Sequence, residues 1–177
     1  MKKRSIAILT VILSVIMLVG CNTFQQDGNS ESEEAVHSGF ITTDLQGNEV
    51  TQEIFGEAKL TVLNVWATYC GPCIKEMPYL GELSKEYNSA EVQIIGIPMD
   101  VYNEDYLAYA NQLIAETGAE YTHLLLSQEL YDWGLTDIQY VPTTFFINQE
   151  GEVISSVVGS FSKEDWKKMI DEQLASM

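Results

Sequence analysis

The sequence has few cysteines, few histidines and few basic residues. Its 177 residues include three cysteines, two histidines and nine lysines and arginines, against 26 aspartates and glutamates. Three of the nine basic residues occupy positions 2–4, so six lysines and no arginine remain in the rest of the chain. A surface this acidic repels nucleic acid and anionic lipid headgroups. The composition therefore argues against nucleic-acid binding and favours a soluble globular domain.

The scarcity of thiols and imidazoles also limits metal binding. Two cysteines, Cys70 and Cys73, are separated by two residues, and a zinc site built on them would need two further ligands. The chain offers only Cys21, His37 and His123, each isolated in the sequence. A structural disulfide between residues three apart would close a very small loop and add little stability. Of these three interpretations, a catalytic dithiol is favoured and no metal site is predicted.

The two cysteines lie where a predicted buried strand, residues 60–66, passes into a predicted helix. Unpaired N–H groups and the positive end of the helix dipole stabilise a thiolate at this position. The pKa of such a thiol falls from about 8.5 into roughly the 3.5–7.5 range. Gly71 allows close approach of the backbone, and Pro72 suits the first helical turn. Helical spacing continues through the apolar residues Ile74, Met77, Leu80, Leu83 and Tyr87.

The run Val65-Trp66-Ala67-Thr68-Tyr69-Cys70-Gly71-Pro72-Cys73, with Glu76 and Pro78, resembles the active site of the thioredoxin superfamily. More narrowly, it resembles the TlpA/ResA-like membrane-anchored thiol-disulfide oxidoreductases. A second matching motif is Val141-Pro142-Thr143-Thr144-Phe145-Phe146. The resemblance implies an α/β thioredoxin-like fold over residues 39–177, in which helices flank a central mixed sheet. It also implies an N-terminal hairpin and a central α/β insertion.

The resemblance implies a role for each matching residue. Cys70 is the expected nucleophile and Cys73 the more buried resolving cysteine, with Glu76 as the proton acceptor for Cys73. Thioredoxin keeps a buried aspartate where this chain has Asn64, which cannot titrate; the alternative for Glu76 is an ordinary exposed helix residue. Trp66 and Tyr69 are expected to pack around the dithiol. The predicted substrate-binding residues are Trp66, Tyr69, Gly71, Pro72, Val141, Pro142 and Thr143, with Pro142 in the cis conformation.

The remaining elements follow from periodicity and turn residues. A hairpin is predicted from residues 39–43 and 49–51. His123, alone in a short predicted strand, is expected to be a structural residue with satisfied hydrogen bonds. The other predicted strands are 92–98, 121–126, 140–148 and 152–158, and the other predicted helices are 100–117, 127–133 and a final helix capped by Ser162.

The first 38 residues differ in composition from the rest of the chain. A basic start and an apolar run over residues 6–19 have the length of a secretory signal rather than of a membrane-spanning helix. The run ends in Leu18-Val19-Gly20-Cys21, which resembles the lipobox of bacterial lipoproteins. We predict a signal peptide over residues 1–20, lipidation of Cys21, and a polar disordered tether to residue 38. The alternative is an uncleaved anchor or plain signal peptide with a free Cys21.

The sequence thus predicts an extracytoplasmic, lipid-anchored thiol-disulfide oxidoreductase at the cell membrane. Its expected reaction is the reduction of disulfides in exported client proteins, with a membrane electron donor restoring the dithiol. The resemblance implies no cofactor other than the Cys70–Cys73 disulfide, and the protein is expected to be a monomer. The rival interpretations are a disulfide-forming oxidant or isomerase of the same fold, and a non-catalytic adaptor for metal or haem delivery. Retention of both cysteines and of Pro142 argues against the adaptor.

Overall fold

The computed structural model describes residues 39–177. The predicted signal peptide, the proposed lipidation site Cys21 and the tether lie outside the described residues. Within residues 39–177, none of the helices has the length and apolar character needed to cross a bilayer.

Seven strands and four α-helices are described in this part of the chain. The strands are β1 (Ile41–Thr43), β2 (Glu49–Thr51), β3 (Leu60–Trp66), β4 (Val92–Pro98), β5 (Thr122–His123), β6 (Thr143–Asn148) and β7 (Val153–Val158). The α-helices are α1 (Gly71–Glu86), α2 (Glu104–Thr117), α3 (Gln128–Gly134) and α4 (Lys163–Ser176). These bounds confirm the predicted order of strands and helices.

Five strands form a mixed sheet in the order β5-β4-β3-β6-β7. The central strand β3 pairs parallel with β4 and antiparallel with β6, and every residue of β3 is buried. A strand that is apolar on both faces can occupy such a position because helices or loops cover both sides of the sheet. β1 and β2 form a separate antiparallel hairpin, as predicted. The mixed α/β architecture expected from the sequence is confirmed.

Alternate residues of the central strands supply two apolar layers. One face packs against α1 and α4 through Leu60, Val62, Leu80, Leu83, Val92, Ile94, Phe146, Trp166 and Ile170. The opposite face packs against the N-terminal segment and α3 through Phe40, Phe55, Leu63, Val65, Ile95, Ile97, Leu124, Leu130, Trp133, Leu135 and Ile147. Because both faces are covered, the carboxyl end of β3 is held firmly where it leads into α1.

Two local features differ from the sequence-based expectation. The predicted strand over residues 121–126 is reduced to β5, because Leu124 forms only a single bridge, to Asp44 in the turn of the hairpin. The segment Gln52–Glu57, for which no element was predicted, forms a 3₁₀-helix that buries Phe55. Helix α2 is capped at both ends, since the Asn103 side chain accepts a hydrogen bond from Tyr106 N and Gly118 ends the helix at a φ of 69°.

Candidate active site

The two cysteines of the predicted dithiol form a disulfide at the start of α1. Their Cα atoms are 5.3 Å apart. Cys70 is the N-cap residue, and its Sγ accepts a hydrogen bond from the backbone N–H of Cys73, with N and Sγ 3.2 Å apart. Cys70 exposes 6% of its surface and Cys73 only 1%. Cys73 is therefore the more buried of the two, as predicted.

Asp100, a buried residue in the loop between β4 and α2, holds the loop before Cys70 in place. Asp100 follows β4 and accepts two hydrogen bonds from Thr68 N, at 3.0 and 3.1 Å, and one from Thr68 Oγ1, at 2.6 Å. The hydrogen bonds thus tie the β4–α2 loop to the turn that presents Cys70. Sequence reasoning missed this pair. The available signal was an aspartate two residues after the carboxyl end of a predicted parallel strand.

Glu76 lies one turn after Cys73 and is fully buried, so the alternative of an exposed helix residue is wrong. Its Oε1 accepts a hydrogen bond from Asn64 Nδ2 at 3.1 Å. Its Oε2 accepts from Phe161 N at 3.1 Å and from Trp166 Nε1 at 3.2 Å. Burial raises the pKa of Glu76 to about 7, although each of these hydrogen bonds favours the ionised form. A carboxyl with this pKa can gain or lose a proton near neutral pH.

Asn64 connects this carboxyl to the sheet. Its Nδ2 also donates to Thr144 Oγ1 at 2.9 Å, and both residues are completely buried. Asn64 Oδ1 has no hydrogen-bond partner among the described residues. The amide therefore supplies Glu76 with a donor while leaving one acceptor unused beside it. The sequence indicated Asn64 as a departure from thioredoxin, but not its partners.

The second motif faces the disulfide. The Val141–Pro142 peptide bond is cis, as the resemblance implied. The carbonyl oxygen of Val141 lies 3.6 Å from Cys70 Sγ. Pro142 precedes the first residue of β6, so its missing N–H costs the sheet no hydrogen bond. Thr143 is buried, and its Oγ1 donates to the carbonyl oxygen of Tyr140 at 2.7 Å.

The aromatic residues around the dithiol take two different positions. Trp66 is fully buried and packs in one apolar cluster with Cys70 and Cys73. Tyr69 exposes 74% of its surface, so the expectation that it packs around the dithiol is wrong. Its side chain lies in solvent, whereas Thr68 and Cys70 on either side of it are buried. Gly71 and Pro72 are also exposed at the start of α1.

His123 hydrogen-bonds the Trp66 indole and contacts it edge to face. Trp66 Nε1 donates to His123 Nδ1 at 3.3 Å, and His123 Nε2 lies 2.9 Å from the carbonyl oxygen of Ala119. Burial lowers the pKa of His123 to about 4, so the ring is neutral at physiological pH. A Cβ on Gly96 would lie 2.2 Å from His123 Nδ1, so glycine leaves the space that this ring needs. The structural role predicted for His123 is confirmed.

The site offers no assembled metal ligands within the part of the chain that the structure describes. In residues 39–177, no group of three or more histidines, cysteines, aspartates or glutamates is placed to hold a metal ion.

A mixed sheet that carries a Cys-x-x-Cys disulfide opposite a cis-proline is the architecture of thioredoxin-like thiol-disulfide oxidoreductases, and the protein is an enzyme of this class. Comparison with known sequences agrees with the structural assignment. The chain belongs to the Redoxin family, whose sequence model matches residues 27–174. Its redox centre is the cysteine pair itself.

Two curated relatives indicate which group of thioredoxin-like oxidoreductases the chain resembles. The chain is 29% identical over 170 residues to the thiol-disulfide oxidoreductase ResA of Bacillus anthracis, an alignment that covers 93% of this chain and 94% of the relative. It is 28% identical over 168 residues to ResA of Bacillus subtilis (strain 168), covering 92% and 89%. Together with the two motifs, these similarities confirm the TlpA/ResA-like assignment.

Solved structures show the same fold. A thiol:disulfide interchange protein of the thioredoxin family from Chlorobium tepidum TLS is 25% identical, with a TM-score of 0.65 over 77% of this chain and 93% of that one. StoA from Bacillus subtilis is 24% identical, with a TM-score of 0.61 over 76% and 97%. The thioredoxin-like fold predicted from the sequence is confirmed.

Proposed function

We propose that the protein reduces disulfides of exported client proteins at the extracytoplasmic face of the membrane. The observation that carries the direction is the charge around the dithiol. The Cys70 sulfur accepts one hydrogen bond, from Cys73 N, and the ionisable group one turn beyond Cys73 is the carboxyl of Glu76. The net charge of −17 opposes the stabilisation that the N-terminus of α1 gives to the Cys70 thiolate, so the reduced pair is less stabilised than it would be in a neutral or basic protein. A poorly stabilised dithiol gives up its electrons readily, which suits a reductase.

The reaction proceeds by two exchanges of sulfur bonds. The Cys70 thiolate attacks one sulfur of the client disulfide, the client S–S bond breaks, and one client thiol is released. Cys73 then loses its proton to Glu76 and attacks Cys70, so that the mixed disulfide breaks and the second client thiol leaves. Two electrons have passed to the client, and Cys70 and Cys73 are oxidised. A membrane electron donor restores the dithiol for the next cycle.

The proposed substrate-binding surface lies around the cis-proline motif. The Val141 carbonyl oxygen lies 3.6 Å from the Cys70 sulfur, and together with the backbone of Pro142 and Thr143 it would hydrogen-bond a client segment. Gly71 and Pro72 leave the approach to Cys70 open. Trp66 supports the site from within the core, whereas the exposed ring of Tyr69 is available to the client.

Reduction of exported clients also requires a location outside the cytoplasm, which the predicted lipidation of Cys21 would provide. Replacing Cys21 with serine should move the protein from the membrane into the soluble or secreted fraction, because two acyl chains supply the stable anchor. Fractionation with a blot against the protein measures this change. Continued tight membrane association of the Cys21→Ser protein would contradict lipid anchoring.

The reduction potential of the Cys70–Cys73 pair tests the proposed direction. We expect a value near that of thioredoxin, about −270 mV, for the full chain carrying Cys21→Ser and equilibrated in defined dithiol buffers. Tryptophan fluorescence or thiol alkylation reports the oxidised fraction. A value near −120 mV, as in the oxidant DsbA, would contradict the reductase proposal and support disulfide formation.

A further inference from the structure

Three strongly exposed tyrosines lie on the loops next to the dithiol. Tyr69, Tyr102 and Tyr140 expose 74%, 71% and 68% of their surfaces. Each lies on a different loop, namely β3–α1, β4–α2 and the segment that leads into β6. A large aromatic ring left in water is common singly, but three on neighbouring loops around a reactive pair indicate a contact surface. We call these three residues the tyrosine rim.

The loops of the rim are fixed to the active site by direct contacts. Tyr69 immediately precedes Cys70, and Tyr140 immediately precedes Val141, whose carbonyl oxygen is 3.6 Å from the Cys70 sulfur. Tyr102 follows Val101, which packs against the apolar cluster that contains both cysteines. The hydrogen bonds between Asp100 and Thr68 hold the loop of Tyr102 against the loop of Tyr69. The three loops therefore meet at the edge of the sheet that carries Cys70, where the Tyr102 ring also packs against Tyr106, with their centroids 4.5 Å apart.

Because Cys70 is nearly buried, only some kinds of client can reach its sulfur past the tyrosine rim. Cys70 exposes only 6% of its surface, so a client sulfur reaches it only if the client backbone comes down onto the surrounding loops. A disulfide held inside a folded domain cannot make that approach. An extended segment can, and the residues on either side of its cysteine then lie over the rim.

The chemistry of the rim indicates which flanking residues it favours. Tyrosine offers a large, rigid and partly apolar surface at a low entropic cost, and for this reason it is enriched at binding hot spots. The three rings carry no charge, whereas the protein as a whole is strongly acidic. Acidic flanking residues in a client are repelled by this field. Apolar and aromatic flanking residues pack on the rings.

We propose that the tyrosine rim selects extended client segments with apolar or aromatic side chains on both sides of the reactive cysteine. Tyr102 and Tyr140 are the specificity-determining residues, since neither belongs to the dithiol or to the cis-proline pair. The inference deepens the proposed function, because the rim acts on the same disulfide exchange.

The test compares three disulfide probes on the full chain carrying Cys21→Ser, reduced beforehand. One probe is a symmetrical disulfide of a short peptide with phenylalanine on both sides of its cysteine. The second has serine at those positions, and the third is hydroxyethyl disulfide. Stopped-flow tryptophan fluorescence gives the second-order rate of oxidation of the enzyme by each probe. The rate of attack does not depend on the direction of electron flow in the cell, so an oxidising potential would defeat the proposed function and leave this test intact.

The double variant Tyr102→Ala/Tyr140→Ala should react about tenfold more slowly with the phenylalanine peptide, as expected when two interface aromatics are truncated. Its rates with the serine peptide and with hydroxyethyl disulfide should be unchanged. The matched control is Tyr109→Ala/Tyr131→Ala, which removes two exposed tyrosines outside the rim and should leave all three rates unchanged. An unchanged rate with the phenylalanine peptide would overturn the proposal. So would an equal fall with all three probes, because the variant would then have altered the dithiol or the fold.

Discussion

Replacing Cys73 with alanine should convert the enzyme into a trap that holds its client as a mixed disulfide on Cys70. Turnover of a protein disulfide should fall to the rate without enzyme. Cys70 keeps its position at the N-terminus of α1 and can still attack, but the thiol that resolves the mixed disulfide is absent. The substitution removes only one sulfur atom, so it leaves a small gap in the core that encloses Cys73.

Non-reducing gel electrophoresis followed by mass spectrometry measures this trapping. The variant should carry client adducts that disappear on treatment with dithiothreitol. With both variants made in the chain carrying Cys21→Ser, Cys70→Ala is the matched control, since its one remaining thiol, Cys73, is almost inaccessible and should give no adducts. Adducts on the control, or none on Cys73→Ala, would contradict the assignment of Cys70 as the nucleophile.

The parts of this site that the sequence predicts well are local in the chain. The dithiol, the strand before it and the helix after it lie within residues 60–86, where spacing and helix-start residues act over a few positions. The cis-proline follows from a motif whose proline must lie outside the regular part of the strand. Burial of Cys73 follows from its place one turn into an amphipathic helix.

The parts that escape prediction depend on contacts between distant segments. Glu76 receives hydrogen bonds from Phe161 and Trp166, which follow it by 85 and 90 residues. The sequence predicts the final helix that carries Trp166, but not which polar group its indole contacts. The outward direction of Tyr69 is set by an irregular turn, to which no periodicity applies. Such contacts are determined by how α4 and the loops dock on the sheet.

Replacing Glu76 with glutamine should slow the resolution of the mixed disulfide by about 100-fold at pH 7.5, the lower end of what a positioned proton acceptor contributes. In the native enzyme, the rate of resolution should rise through an apparent pKa of about 7, because the carboxylate is the form that accepts the proton from Cys73. The variant should lack this rise and should react faster only when Cys73 ionises by itself at high pH. Formation of the mixed disulfide at Cys70 should be unchanged.

The native surroundings can accommodate the glutamine. Its carbonyl oxygen can accept from Phe161 N and Trp166 Nε1, as Glu76 Oε2 does. Its NH₂ group then faces the Asn64 side chain. Rotating the Asn64 amide by 180° brings Oδ1 towards this NH₂ group, and Oδ1 has no other hydrogen-bond partner in the described residues. Thr144 Oγ1 can donate to the same oxygen. A fall in rate with a folded variant therefore reports on the proton and not on a disrupted core.

The free energy of unfolding provides an independent measurement of the ionisation of Glu76. The pKa of Glu76 is higher in the folded protein than in the unfolded chain, so the native state binds its proton more tightly. The resulting stabilisation is complete below about pH 4.5 and is lost as pH rises through about 7. Urea unfolding of the oxidised protein at pH 5 and pH 8 should show this loss in the native chain and a smaller one in Glu76→Gln.

The matched control for both measurements is Glu82→Gln, which changes an exposed carboxylate on the same helix that pairs with Lys163. It removes the same charge without removing a buried proton acceptor, so both the pH profile of resolution and the difference in stability between pH 5 and pH 8 should remain native. A Glu76→Gln enzyme that kept the rise in rate near pH 7 would contradict the role of Glu76. In the proposed mechanism, the rate of resolution and the free energy of unfolding both respond to the proton of Glu76. A residue that only supported the fold would change the free energy of unfolding but leave the pH profile of resolution intact.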